Sequence, residues 1–147
     1  MWRVLAVHFG VGVRIEQFIG CWHGLPAEAQ TALGLGGGVL GASALVGARV
    51  WQRDLRLRLV IGPLNRAQFD QFLPHGRSAA ALRELLGAMS GMTLEYEVQL
   101  QLAAAEAPPL VLGASAAPPR LGWDSWLPGR PPAQPLNDAR YDIHAAA

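Results

Sequence analysis

Residues 55–76, Leu55-Arg-Leu-Arg-Leu-Val-Ile-Gly-Pro-Leu-Asn-Arg-Ala-Gln-Phe-Asp-Gln-Phe-Leu-Pro-His-Gly76, constrain the fold more than any other part of the chain. Leu55, Leu57, Leu59 and Ile61 alternate with Arg56, Arg58 and Val60. Successive side chains of a strand point to opposite faces, so this order predicts a strand with one wholly apolar face on a core. Gly62-Pro63 is expected to end the ladder, because proline has no N–H to donate. Asn65 then stands as an N-cap with Gln68 three residues on, the spacing of a capping box, and Leu64 and Phe69 stand at staple spacing. Phe69, Phe72 and Leu73 share one helical face, and Pro74 with Gly76 closes the element.

A chain of 147 residues suits one domain that buries roughly two-thirds of its unfolded surface. Its 51% hydrophobic and 16% charged residues argue for a packed chain with much interior or interface. A formal charge of +1 supplies no electrostatic drive towards nucleic acid or an anionic membrane. All 12 basic residues are arginine, which reads as compositional bias of the source. Cys21 has no second cysteine to pair with, so a reducing compartment is the natural setting, and between Ile19-Gly20 and Trp22 it reads as a small buried hydrophobe. No signal peptide follows Met1-Trp2-Arg3. Residues 29–48 carry no charge and have the length of a bilayer span, but they hold six glycines, each costing a helix roughly 1 kcal/mol against alanine. A loop leading into a strand is the expectation there.

In chain order, residues 1–9 are expected to be helical, with Leu5, His8 and Phe9 on one side and Gly10 as the stop. Residues 13–19 predict a strand running into Cys21-Trp22, and Pro26 is placed to open a short helix over 27–33 that Gly34 ends. A strand is expected over 45–51, and the polar Gln52-Arg53-Asp54 suggests a hairpin turn into the strand at Leu55. Ser78 can cap a second helix with an apolar stripe of Leu82, Leu85, Leu86 and Met89, ended by Gly91. Leu94, Tyr96, Val98, Leu100 and Leu102 then alternate with Glu95, Glu97, Gln99 and Gln101. Arg56 and Arg58 on one strand and Glu95 and Glu97 on the other predict that these strands are neighbours, since opposite charges stabilise cross-strand pairing. Pro108-Pro109 breaks the chain, and a short strand is expected at 110–112.

These readings give an α+β fold: a small mixed β-sheet covered by two helices over residues 1–113, followed by a Pro-rich tail over 114–147. The tail is too poor in apolar residues to form its own core. Its exception is Leu121-Gly-Trp-Asp-Ser-Trp-Leu127, whose two tryptophans and two leucines must dock on something, either this domain or a partner.

No catalytic set emerges. Gly36-Gly-Gly-Val-Leu-Gly41 matches the dinucleotide pattern literally, but the mechanism needs a strand before it and a helix after it, the reverse of what is predicted. His8, His23, His75 and His144 are far apart and none stands at i, i+4 from another ligand, so no metal or other cofactor is expected. Ser125 lacks the G-x-S-x-G elbow, and no carboxylates are visibly paired in a cleft. A small-ligand domain using the glycine loop, or a membrane-associated protein using 29–48, are the readings from other classes.

Several runs occur in one order: Phe18-Ile-Gly-Cys-Trp22, the loop ending in Leu40-Gly41, Val46-Gly-Ala-Arg-Val-Trp51, Leu59-Val-Ile-Gly-Pro-Leu64, Phe69-Asp-Gln-Phe-Leu-Pro74, residues 94–102 and Leu121-Gly-Trp-Asp-Ser-Trp-Leu127. Together they resemble the C-terminal part of the TssG family of type VI secretion baseplate subunits, also called ImpH or VasB. Members of that family are longer, so the resemblance implies a chain without the N-terminal half. It also implies a non-enzymatic structural subunit that joins two copies of TssF, contacts TssE, and presents apolar loops to TssK. The implied setting is the cytoplasm, at the inner face of the inner membrane. On this reading Leu40, Leu45, Leu121, Trp123, Trp126 and Leu127 are the expected partner contacts.

Overall fold

The capped helix and its flanking strands supply most of the interior. The computed structural model describes all residues except 33, 35–37, 92, 108–119, 127–131 and 144–147. By its internal contacts the chain divides into two units, Met1–Gln17 with Leu57–Ala147, and Phe18–Arg56.

The first unit holds a four-stranded sheet in the order β1-β4-β5-β6, with β1 at Val13–Glu16, β4 at Arg56–Leu64, β5 at Glu95–Leu102 and β6 at Arg140–Asp142. β1 pairs antiparallel with β4, and β5 antiparallel with β6. Between β4 and β5 the partners advance together: Arg58 meets Glu97 at an offset of 39 residues, Gly62 lies against Gln101, and the Ala103 N–H donates to the Leu64 carbonyl at 2.9 Å. These strands therefore run parallel, and the connection carries the two helices α2 (Arg66–Phe72) and α3 (Arg77–Ser90) that a parallel crossover needs. The sheet is mixed, in an α+β fold.

The core is one cluster. Leu59 and Ile61 of β4, Tyr96, Val98, Leu100 and Leu102 of β5, Phe69 and Phe72 of α2 and Leu82 and Leu86 of α3 are all buried. The alternation read from the sequence holds from Leu57 to Ile61 in β4 and along the apolar side of β5. Leu55, expected on the apolar face, lies before β4 and is exposed, and Val60 and Gln99 on the opposite face are buried as well. On that face Arg58 and Glu97 are bonded, with Glu16 also bound to Arg58 at 3.2 Å. Burial alone would lower the Arg58 pKa; the two carboxylates outweigh it and raise it. The capping box forms as expected, with the Asn65 side chain accepting from the Gln68 N–H at 2.8 Å and the Gln68 side chain accepting from the Asn65 N–H at 3.1 Å.

Several expectations are corrected. The ladder does not end at Gly62-Pro63: β4 continues through this cis peptide to Leu64, and Gly62 donates to the Gly12 carbonyl at 2.9 Å. Gly62 has φ +142°, and a Cβ there would lie 2.6 Å from the Gln101 carbonyl, so glycine carries the strand where it presses on β5. The cap of α3 is Gly76 rather than Ser78, which sits inside the helix and reaches Gln71. A Cβ at position 76 would be 1.9 Å from the Gln71 carbonyl, and this close approach of α2 sets the helix start. Met89, expected in the apolar stripe, is exposed. A third helix, α1 at Trp2–Phe9 ended by left-handed Gly10, adds Leu5 to the core and stacks Phe9 edge-on to Phe72 at 5.2 Å. The tail contributes β6 and the isolated bridge Leu102–Leu136. The strand expected at 110–112 and the boundary after Gly113 lie outside the described residues.

The second unit is a two-stranded antiparallel sheet of β2 (Cys21–Gly24) and β3 (Arg49–Gln52) joined by a long connection. The strand expected over 13–19 and into Cys21-Trp22 is thus two elements separated at Phe18, which has φ +60°. β3 pairs with β2, so the expected hairpin with β4 does not form, and the expected strand 45–51 shortens to Arg49–Gln52. The short helix after Pro26 is a single 3-10 turn at Ala27–Ala29.

Candidate interaction surfaces

Two segments hold the expected contact residues, one in each unit. In the first unit, residues 120–124 form a tight turn in which the Trp123 and Asp124 N–H groups both donate to the Arg120 carbonyl at 3.1 Å. Asp124 anchors it. This residue is only 5% exposed, and its carboxylate accepts from Arg66 Nη2 at 2.6 Å, Arg120 Nη2 at 3.1 Å and the Arg120 N–H. Asp70 joins the cluster through Arg66 and Arg120, each at 3.2 Å. Burial alone would raise the Asp124 pKa, but the Arg120 backbone and guanidinium, with Arg66, outweigh it and hold the carboxyl below its usual range.

Around that anchor both tryptophans turn inwards. Trp126 packs edge-on to Phe69 at 5.9 Å and Trp123 edge-on to Tyr141 at 5.9 Å. The Tyr141 hydroxyl donates to the Phe72 carbonyl at 2.6 Å, and burial raises its pKa against the opposing charge of Arg83. Trp123 and Trp126 are half-buried against the core, whereas Leu121 at the tip of the turn is 92% exposed. Leu127 lies outside the described residues. Asp124, read from the sequence among carboxylates of the solvent face or tail, is buried instead, and Tyr141 is a neighbour of the tryptophans that the sequence reading did not place. Asp124 was masked by its two tryptophans, and the alternation of Ala139, Tyr141 and Ile143 was masked by the small residues around it.

In the second unit, no described residue is fully buried. Trp22 and Trp51 meet edge-on at 5.3 Å across the two strands, and the Arg49 guanidinium lies 6.0 Å from the Trp22 ring. The turn over 39–44 closes through the Ala42, Ser43 and Ala44 N–H groups, all donating to the Val39 carbonyl. Leu40 on that turn is 93% exposed, and Leu45, whose N–H is held by the Thr31 hydroxyl at 2.8 Å, is 42% exposed. Cys21 is half-buried rather than buried, and its sulfur accepts from Arg56 at 3.1 Å. Gly36 and Gly37 lie outside the described residues, and Gly41 at φ +79° sits in the turn with no helix following before β3.

Among the described residues no group of three His, Cys, Asp or Glu side chains is placed to hold a metal ion. None of the described helices is long and apolar enough to cross a membrane. What both surfaces offer is apolar side chains presented on short, hydrogen-bonded turns.

Residues 1–128 match the family model described as type VI secretion, TssG. The chain belongs to the TssG family. The match takes in every run on which the sequence resemblance rested, including the turn at Leu121, and ends before β6. Among solved structures the chain is similar to one in the "type VI secretion system TssK-TssF-TssG baseplate subcomplex", determined by cryo-electron microscopy, with TM-score 0.69 and 18% identity. That similarity covers 94% of this chain and 60% of the other, so this chain spans less than two-thirds of the solved chain's length. No curated protein matches.

Proposed function

We infer that this chain is a non-enzymatic scaffold subunit of a type VI secretion baseplate, acting by docking apolar turns into other baseplate proteins. The observation that carries this reading is the coreless unit Phe18–Arg56, which exposes Leu40, Leu45 and the Trp22–Trp51 pair without burying any described residue of its own. A two-stranded ribbon is at best marginal alone, and an apolar patch of this kind is stabilised by a partner. Family membership and the composition of the similar complex support TssF and TssK as those partners; TssE is a further contact in this proposal. On this reading the assembly works on the cytoplasmic side, at the inner face of the inner membrane. The proposed contacts are Leu40 on one turn with Leu45 just after it, and Leu121 on the other with Trp123 and Trp126 holding that turn in shape; Leu127 is proposed from the sequence alone.

Co-purification with TssF and TssK tests this. Leu40→Asp with Leu45→Asp is expected to abolish capture while the melting temperature stays within a degree or two. Full capture by that variant overturns the reading.

A further inference from the structure

The turn that carries Leu121 is mounted on two elements. The first is α2: its first residue, Arg66, holds the Asp124 carboxylate at 2.6 Å, and three residues on Phe69 receives Trp126 edge-on. The second is β6, whose Tyr141 ring meets Trp123 edge-on at an interplanar angle of 61°. Asp124 and Trp126 lie within the stretch 1–128 that the family model matches, as does Trp123; Tyr141 lies beyond it.

Tyr141 is fixed independently of the turn. On the strand beside it, the Leu100 N–H donates to the Ala139 carbonyl and the Ile143 N–H to the Tyr96 carbonyl, each at 3.0 Å. The Gln99 side chain donates to the Asn137 carbonyl at 2.8 Å, and Arg83 donates to the Ile143 carbonyl at 3.1 Å. Ala139 and Ile143, on the same face of β6 as Tyr141, are buried in the core. The Tyr141 hydroxyl donates to the carbonyl of Phe72, the last residue of α2. The final carbonyls of a helix have no partner within it, so this bond satisfies a group that α2 leaves open. The backbone of Tyr141 is thus placed by β5, its hydroxyl by α2, and the ring between them meets Trp123.

We propose that Tyr141 is a positioning residue for docking: it fixes the Trp123 ring, and with it the direction in which Leu121, two residues earlier and 92% exposed, is presented. Two contacts on one helix leave the turn free to rock about that helix. Contact with a second element stops the rocking, so Leu121 meets a partner without first losing that freedom. The proposal rests on the reading that Leu121 contacts a partner.

Amide exchange and co-purification with TssF and TssK, both on the full chain, test it together. Tyr141→Leu keeps an apolar side chain on β6 but removes the ring and the hydroxyl. It should speed exchange of the Trp123 and Asp124 N–H groups and weaken capture, each about tenfold, the value of an edge-on aromatic pair. The Leu100 and Leu102 N–H groups of β5 should stay protected. Tyr141→Phe keeps the ring and loses only the bond to Phe72, so both changes should shrink to about threefold. In a Trp123→Ala background Tyr141→Leu should weaken capture no further, because Tyr141 acts through Trp123. Wild-type exchange at Trp123 and Asp124 in Tyr141→Leu overturns the proposal, as does a further loss of capture in the Trp123→Ala background. If Tyr141→Leu loses protection in β5 and fails to fold, Tyr141→Phe decides by the same exchange criterion. Leu121→Asp separates the proposal from the reading beneath it. Normal capture by Leu121→Asp overturns docking by this turn and the proposal with it. Lost capture by Leu121→Asp beside full capture by Tyr141→Leu overturns the proposal alone.

Discussion

The two units of this chain use similar proportions of leucine, valine and tryptophan to opposite ends. In Met1–Gln17 with Leu57–Ala147, apolar residues fall at the period of the element that carries them, so each strand and helix contributes one face to a common interior. In Phe18–Arg56 they fall on turns and on a two-stranded ribbon, and none of the described residues there is fully buried. The first arrangement stabilises a fold. The second leaves apolar surface exposed. Hydrophobic content alone does not separate the two cases; periodicity and layering do.

The sharpest way to break this contrast is to place the same charge in each unit. Leu59→Asp or Phe72→Asp should unfold the chain, losing about 4 kcal/mol or more, because an unpaired carboxylate would enter a fully buried layer. A thermal melt with a wild-type midpoint would refute the assignment of the core.

A smaller effect is expected at the Asp124 anchor, where the first unit holds its exposed turn. Asp124→Asn should cost about 2 kcal/mol at neutral pH, since Arg66 and Arg120 lose their shared carboxylate while remaining partly solvated. The folded-state pKa of Asp124 is depressed, so its contribution is complete above the unfolded value of about 4 and is lost as pH falls through the lower folded value. The stability gap between wild type and Asp124→Asn should therefore narrow on acidification below about pH 4. A gap that stays constant to pH 2 would remove Asp124 from the titrating set.

Smaller again is the contribution of the ribbon. Trp22→Ala should cost about 1 kcal/mol, the worth of an edge-on aromatic pair, and should speed amide exchange in β2 and β3 while leaving β4 and β5 protected. Loss of protection in β5 would show that the ribbon supports the core. Smallest of all, Leu40→Asp should change stability by no more than about 0.5 kcal/mol, as for other exposed positions.

Most structure that depends on neighbours in sequence was announced by the chain, although the helix expected over 27–33 is only a 3-10 turn. The capping box at Asn65 and Gln68, the staple of Leu64 and Phe69, the helix stop at Gly10 and the alternation of β4 and β5 are all local, each set by residues within one turn or one pleat. Even the Arg58–Glu97 contact was legible, because two clean alternations fixed which faces were polar. The island at 121–127 was visible as a segment that must dock, though its Asp124 anchor was not. What the tertiary structure alone decided were choices among equivalent local options. β3 has the composition to pair with either neighbour, and it pairs with β2, leaving β1 to flank β4. Gly62-Pro63 reads as a break until β5 presses against it, and Gly76 replaces Ser78 as a cap because the Gln71 carbonyl leaves no room for a side chain. Tyr141 and Ile143 became part of the core once β5 offered its free edge to residues 140–142. The physical reason is common to these cases: a strand's partner and a close backbone approach depend on residues tens of positions away, and periodicity within a segment carries no record of them.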